Sequence, residues 1–208
     1  MASSSADTLS YWERLPDELL LRVIEYVMRR DGRRRWCGSL RGVGRLWRAL
    51  HDVACTRLGL RNGLTDGMMH ALCARLPALT HLNLAGVESL TEDGLRAVGG
   101  LPALVNLNLS HCNVTDAVLQ ELRGCTALTV LETSLCVDVT DAGLWELRDL
   151  TALIMLSLRG CFNVTDVGLQ HLTSLAALLE LELLGTSTTK TGRDALKAAI
   201  PVLTIHWR

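Results

Sequence analysis

Aromatic residues are scarce in this chain of 208 residues, with five tryptophans, two tyrosines and one phenylalanine making up 4% of it. A core of stacked rings is excluded, and burial falls to aliphatic side chains, which dominate a hydrophobic content of 49%. Lysine occurs only at Lys190 and Lys197, and proline four times. Basic and acidic residues nearly cancel (21 against 22, net −1), so no excess charge draws the chain to a polyanion or an anionic membrane surface. No apolar run reaches the ~18 to 20 residues of a membrane helix. The first residues, Met-Ala-Ser-Ser-Ser-Ala-Asp, lack the basic region and apolar core of a signal peptide. They predict a short flexible lead over residues 1–11.

The chemical motifs are equally thin. There is no Cys-x-x-Cys or His-x-x-x-His pair, no P-loop and no Gly-x-Gly-x-x-Gly. The six histidines are scattered, and no acid or nucleophile recurs beside them at a defined spacing. No catalytic residue, metal ligand or cofactor is therefore assigned. The cysteines number seven, an odd count for a disulfide framework. Cys112, Cys136 and Cys161 lie 24 and 25 residues apart, which is the period of a structural repeat and not of a ligand pair. Buried, reduced thiols are the expectation.

What the sequence has is a leucine frame. Leu79, Leu104, Leu128, Leu153 and Leu178 follow one another at intervals of 25, 24, 25 and 25. Each opens a segment of the form Leu-x-x-Leu-x-Leu, clearest in Leu104-Val-Asn-Leu107-Asn-Leu109-Ser-His-Cys112. A Thr-Asp/Glu element alternates with these segments at Thr65, Thr91, Thr115, Thr140 and Thr165. A period in this range means stacked supersecondary units, which work by presenting a surface.

Leu-x-Leu predicts a short strand whose leucines point inward and whose alternate residues point outward. Leu82/Leu84, Leu107/Leu109, Leu156/Leu158 and Leu181/Leu183 form a parallel ladder, with Leu58-Gly-Leu60 as an earlier rung and Ile205-His-Trp207 as a final one. Leu131-Glu-Thr133 substitutes threonine for the second leucine and is expected to be the weakest rung. Leucines at i, i+3 and i+6, as in Leu144, Leu147 and Leu150, predict one face of a helix. The threonine before each acid suits the helix start, because its hydroxyl accepts a backbone N–H and the carboxylate meets the positive end of the dipole.

The Leu-x-x-Leu-x-Leu-x-x-Cys strand followed by Val-Thr-Asp-x-Gly-Leu resembles the cysteine-containing class of leucine-rich repeats, over residues 53–208. The resemblance implies an α/β fold: a curved solenoid with a parallel strand ladder on its concave face and helices outside. Val87 and Thr186 stand where that class has cysteine, and the tail from Ile205 is expected to cap the array.

Residues 12–52 differ in composition, holding three of the five tryptophans and ten of the 21 basic residues. Leu15 to Val27 predicts a helix with Pro16 in its first turn, and Leu40 to about Cys55 a second. Leu15, Pro16 and Leu19, then Val23 and Ile24, then Val43 and Trp47 are similar to the F-box pattern. An F-box implies docking of a Skp-type adaptor, and through it a cullin and a RING subunit. Leu15, Pro16, Leu19, Leu20, Ile24 and Trp47 are the adaptor-binding candidates, Trp47 equally suiting internal packing. The run Arg29–Arg35 lengthens the link between the helices and predicts a solvated loop.

Together the two resemblances imply a non-catalytic substrate receptor of an SCF-type ubiquitin ligase, in the cytoplasm and/or nucleus, with no nucleic-acid or membrane partner. The target would meet the outward strand residues Arg57, Arg61, His81, Asn83, Asn106, Asn108, Glu132, Met155, Ser157, Arg159, Glu180 and Glu182. Basic residues lie toward the first rung and acids toward the last. The alternative is a repeat scaffold or inhibitor whose F-box-like helices only cap the solenoid.

Overall fold

Each Leu-x-Leu segment contributes three residues of strand, and seven of them stack into one sheet. The computed structural model describes residues 57–60 and 63–207. The strands are β1 (Arg57–Gly59), β2 (His81–Asn83), β3 (Asn106–Asn108), β4 (Val130–Glu132), β5 (Met155–Ser157), β6 (Glu180–Glu182) and β7 (Thr204–His206). They pair in parallel in sequence order, in a register that aligns Leu58, Leu82, Leu107, Leu131, Leu156, Leu181 and Ile205. One residue past each strand the ladder continues, as in Leu84 N–H to Asn108 O at 2.8 Å and Leu158 N–H to Glu182 O at 2.9 Å.

Among the described residues six α-helices return the chain: α1 (Asp66–Arg75), α2 (Glu92–Arg96), α3 (Asp116–Glu121), α4 (Asp141–Glu146), α5 (Asp166–His171) and α6 (Lys190–Ala199). Four of them tighten into 3₁₀ turns, at Ala97–Gly100, Leu122–Gly124, Leu147–Asp149 and Leu172–Ser174. The leucine spacing of three has its explanation here. Leu144, Leu147 and Leu150 are all buried because three residues per turn is the 3₁₀ repeat, not the α repeat.

The core is a set of columns running the length of the array, one residue per unit. Cys112, Cys136 and Cys161 form one such column, buried, with each thiol donating to a carbonyl of the preceding unit (Leu84 O at 3.0 Å, Leu109 O at 3.3 Å, Thr133 O at 3.2 Å). Cys125 takes the place that Leu101, Leu150 and Leu175 hold in other units. Thr133 is fully buried, and its hydroxyl donates to Ser157 O at 2.9 Å, so the substitution leaves no orphaned polar group. At the far end, the expected cap is only partly formed. Leu196, Ile200 and Leu203 are buried, but Trp207 is 40% exposed, with Arg193 lying 4.5 Å over its ring.

The Thr-Asp-x-Gly motif is a clamp between units. Asp116 accepts from the Thr140 N–H at 2.8 Å and hydroxyl at 2.6 Å, Asp141 from Thr165 at the same two distances, and Asp166 from Thr189 at 2.7 and 2.6 Å. The expected cap bonds are made by Thr65, Thr140 and Thr165 but not by Thr91 or Thr115, and Thr189, which precedes a lysine, makes one as well. The glycine of the next unit makes room: a β-carbon on Gly143, Gly168 or Gly192 would overlap the Oδ1 of Asp116, Asp141 or Asp166. Where Glu92 replaces aspartate, the longer acid reaches only the Thr115 hydroxyl, at 2.7 Å, and the next unit carries Val118 instead of glycine.

Candidate concave interaction face

The side chains alternating with the ladder leucines form two outward columns, fixed by the parallel register. The first runs His81, Asn106, Val130, Met155, Glu180, Thr204, and the second Asn83, Asn108, Glu132, Ser157, Glu182, His206, with Arg57 and Gly59 pairing in backbone register at the head of the ladder. Nine of the sequence-predicted contact residues thus stand in register on one face, Arg57 pairs in backbone register with His81, and Arg159 lies two positions beyond Ser157, exposed. Arg61 and the adaptor candidates Leu15, Pro16, Leu19, Leu20, Ile24 and Trp47 lie outside the described residues, as does the Arg29–Arg35 run.

The columns are polar but not uniformly solvated. Ser157, expected as a contact residue, is only 2% exposed. Its hydroxyl lies 2.8 Å from the Ser134 hydroxyl and donates to Glu182 at 2.7 Å, which ties three neighbouring units together across the face. Asn108 donates to Glu132 at 2.8 Å while its amide oxygen accepts from the Ser110 N–H at 2.9 Å. Asn83 makes the same turn with the Ala85 N–H at 2.9 Å. His81 is tied to the Thr80 hydroxyl at 2.8 Å. Burial, and then the nearby charge of Glu182, push the Glu132 carboxyl above its ordinary value. The early rungs therefore present histidine and asparagine, the later ones carboxylates.

The thiols of the described residues are all buried. Burial pushes Cys73 and Cys136 up to about 12, and Cys125 and Cys161 to about 11, far from the depressed values of reactive cysteines.

Two exposed features escaped the sequence reading. On the convex side, Trp145 carries the Arg148 guanidinium 3.9 Å over its ring and meets the edge of His171 at 5.1 Å. On the rim of the concave face, Leu135 holds a left-handed backbone (φ 61°) and is exposed, as are Val137, Phe162 and Leu184. The available signal for the rim was a leucine in the unit position that Gly86, Gly160 and Gly185 fill elsewhere. A shallow cleft of about 140 Å³ beside α6 is lined by Lys190, Arg193, Asp194, Lys197, Ile205 and Trp207.

A parallel ladder of short strands backed by short helices, one pair per 25-residue unit, resembles the leucine-rich-repeat solenoid. Solved structures bear this out: 145 chains match the fold. One is an internalin of Listeria monocytogenes, with a TM-score of 0.61 at 18% identity, covering 92% of this chain and 56% of the internalin. The chain thus spans little more than half of that protein, and the likeness is one of fold. No protein-family model matches the sequence, and no curated protein matches it.

Proposed function

We propose that this chain is a protein-recognition solenoid that holds a target on its concave face, as the non-catalytic substrate receptor of an SCF-type ubiquitin ligase. The observation that carries the recognition half is the two in-register outward columns, polar except at Val130 and Met155. The same fold that sends every ladder leucine inward leaves these side chains facing one way. The ligase half rests on the F-box-like pattern of residues 12–52 directly before the repeats. In this reading Leu15, Pro16, Leu19, Leu20, Ile24 and Trp47 meet the Skp-type adaptor, and the cullin and RING subunit follow through it. The chain then acts by proximity: it raises the target's effective concentration near a charged conjugating enzyme, with no bond chemistry of its own. Its place of action is the cytoplasm or nucleus.

Co-expression with a Skp-type adaptor tests the assignment. The wild type is expected to form a 1:1 complex, and Leu19→Glu combined with Pro16→Ala to abolish it while leaving the circular dichroism spectrum unchanged. Failure of the wild type to bind, or unchanged binding by the double variant, removes the ligase reading and leaves a repeat scaffold or inhibitor.

A further inference from the structure

The rim beside β4, β5 and β6 combines exposed apolar side chains with carboxylates that form no ion pair among the described residues. Leu135 is 44% exposed in a left-handed backbone that leucine rarely adopts. Its side chain lies flat on the next unit, where a β-carbon on Gly160 would overlap it. Gly185 stacks on Gly160 in turn, and the ring of Phe162 stands 3.8 Å from where a Gly185 β-carbon would sit. Leu135, two bare glycines and Phe162 (55% exposed) therefore form one apolar shelf, with Leu184 (40% exposed) next to it in the chain. Phe162 is the sole phenylalanine of the sequence, and it is spent on the surface.

Charge decides what fits there. The Ser134–Ser157–Glu182 hydrogen-bond chain runs from the residue before Leu135 to the acid two residues before Leu184, joining the shelf to the strand face. On β4 and β6 that face carries Glu132, Glu180 and Glu182, none of which forms an ion pair among the described residues. Arg159 is the one cation on these rungs and is likewise unpaired, so three carboxylates stand against one guanidinium. Glu132 and Glu182 repel each other, a tension that a cation from outside relieves.

We infer that the β4–β6 rim docks a basic segment of the target protein, with a lysine or arginine facing Glu132 and Glu182 and an adjacent bulky apolar side chain on the Leu135–Phe162 shelf. Neighbouring rungs are ~4.8 Å apart, so an extended segment crossing them can present both groups at once. The inference rests on the recognition reading above and adds the chemistry of the partner.

Panning the full chain against a randomised octapeptide library tests it. Enrichment of lysine or arginine next to leucine, methionine or phenylalanine is expected. For the best peptide, fluorescence anisotropy at low salt should show binding weakened about tenfold by Phe162→Ser and by the pair Glu132→Gln with Glu182→Gln. Added salt should weaken the wild type but affect the glutamine pair less. Leu135→Gly should also weaken binding while leaving the thermal unfolding midpoint unchanged or higher, which separates contact from folding. Enrichment of acidic peptides, no enrichment, or binding indifferent to these variants overturns the inference. Target capture from cells distinguishes the two levels. Capture that depends on His81 and Asn106 but not on the shelf removes this inference alone, and capture that depends on neither removes the recognition reading as well.

Discussion

Asp141 links two repeats through one side chain: it accepts two hydrogen bonds from Thr165, and Gly168 leaves the space it occupies. Gly168→Ala should therefore destabilise by about 1–3 kcal/mol, although alanine is the better helix former by ~1 kcal/mol. Combined with Asp141→Ala the loss should be clearly less than the sum of the two single variants, because the closest overlap disappears with the carboxylate and only the flexible end of Leu144, at 2.9 Å, is left to shift. Urea denaturation of the four proteins in the cycle measures this; additive losses would sink the clamp. Among the cysteines, burial holds Cys73, Cys125, Cys136 and Cys161 at about 11 to 12, so a maleimide at pH 7 should modify them only upon unfolding. Labelling followed by peptide mass spectrometry reads it directly. Rapid native modification of any of the four would reopen a thiol mechanism. The sequence showed that Cys112, Cys136 and Cys161 share the repeat phase. That each thiol of the column bonds a carbonyl one unit back emerges only when the units stack.

Strands of three residues and helices of five to ten have little stability of their own, and each draws it from the neighbouring unit. Leu156, with a unit on either side, is fully buried, whereas Ile205 on the last strand is only partly covered. Leu156→Ala is expected to cost about 2–5 kcal/mol and Ile205→Ala distinctly less, by chemical denaturation. The carboxylates of the two faces respond to pH in opposite directions. Glu132 in the folded protein lies above its ordinary 4.5, so the folded state holds the proton longer than the unfolded chain does. Stability attributable to Glu132 thus falls as pH rises from 4.5 through the raised value, and Glu132→Gln should raise the unfolding midpoint at pH 7 but not below pH 4.5. Asp166 lies below its ordinary 3.8, through the Thr189 hydroxyl and N–H. Its contribution is present above 3.8 and fades as pH falls through the depressed value, so Asp166→Asn should lower the midpoint at pH 7 and not in strong acid. Thermal melts across pH 3–8 check both signs.

At the scale of the whole molecule, the sequence by itself determined the number of strands, their phase and the face each residue takes. Those properties follow from one period repeated, and a leucine at a fixed phase has only one buried column to enter. His81, Asn106, Asn108 and Glu132 could be named as outward on that basis alone. The tertiary structure decided what the period does not encode. It buried Ser157 within an outward column, satisfied Thr133 through a neighbouring carbonyl, and ended the four middle helices in 3₁₀ turns. It also gathered Leu135, Gly160, Gly185 and Phe162 into one shelf, although they span 51 positions of sequence. The physical reason is common to all of these: periodicity fixes the direction of a side chain within its unit, whereas burial, hydrogen bonding and patch formation are set between units, by neighbours about 25 residues away.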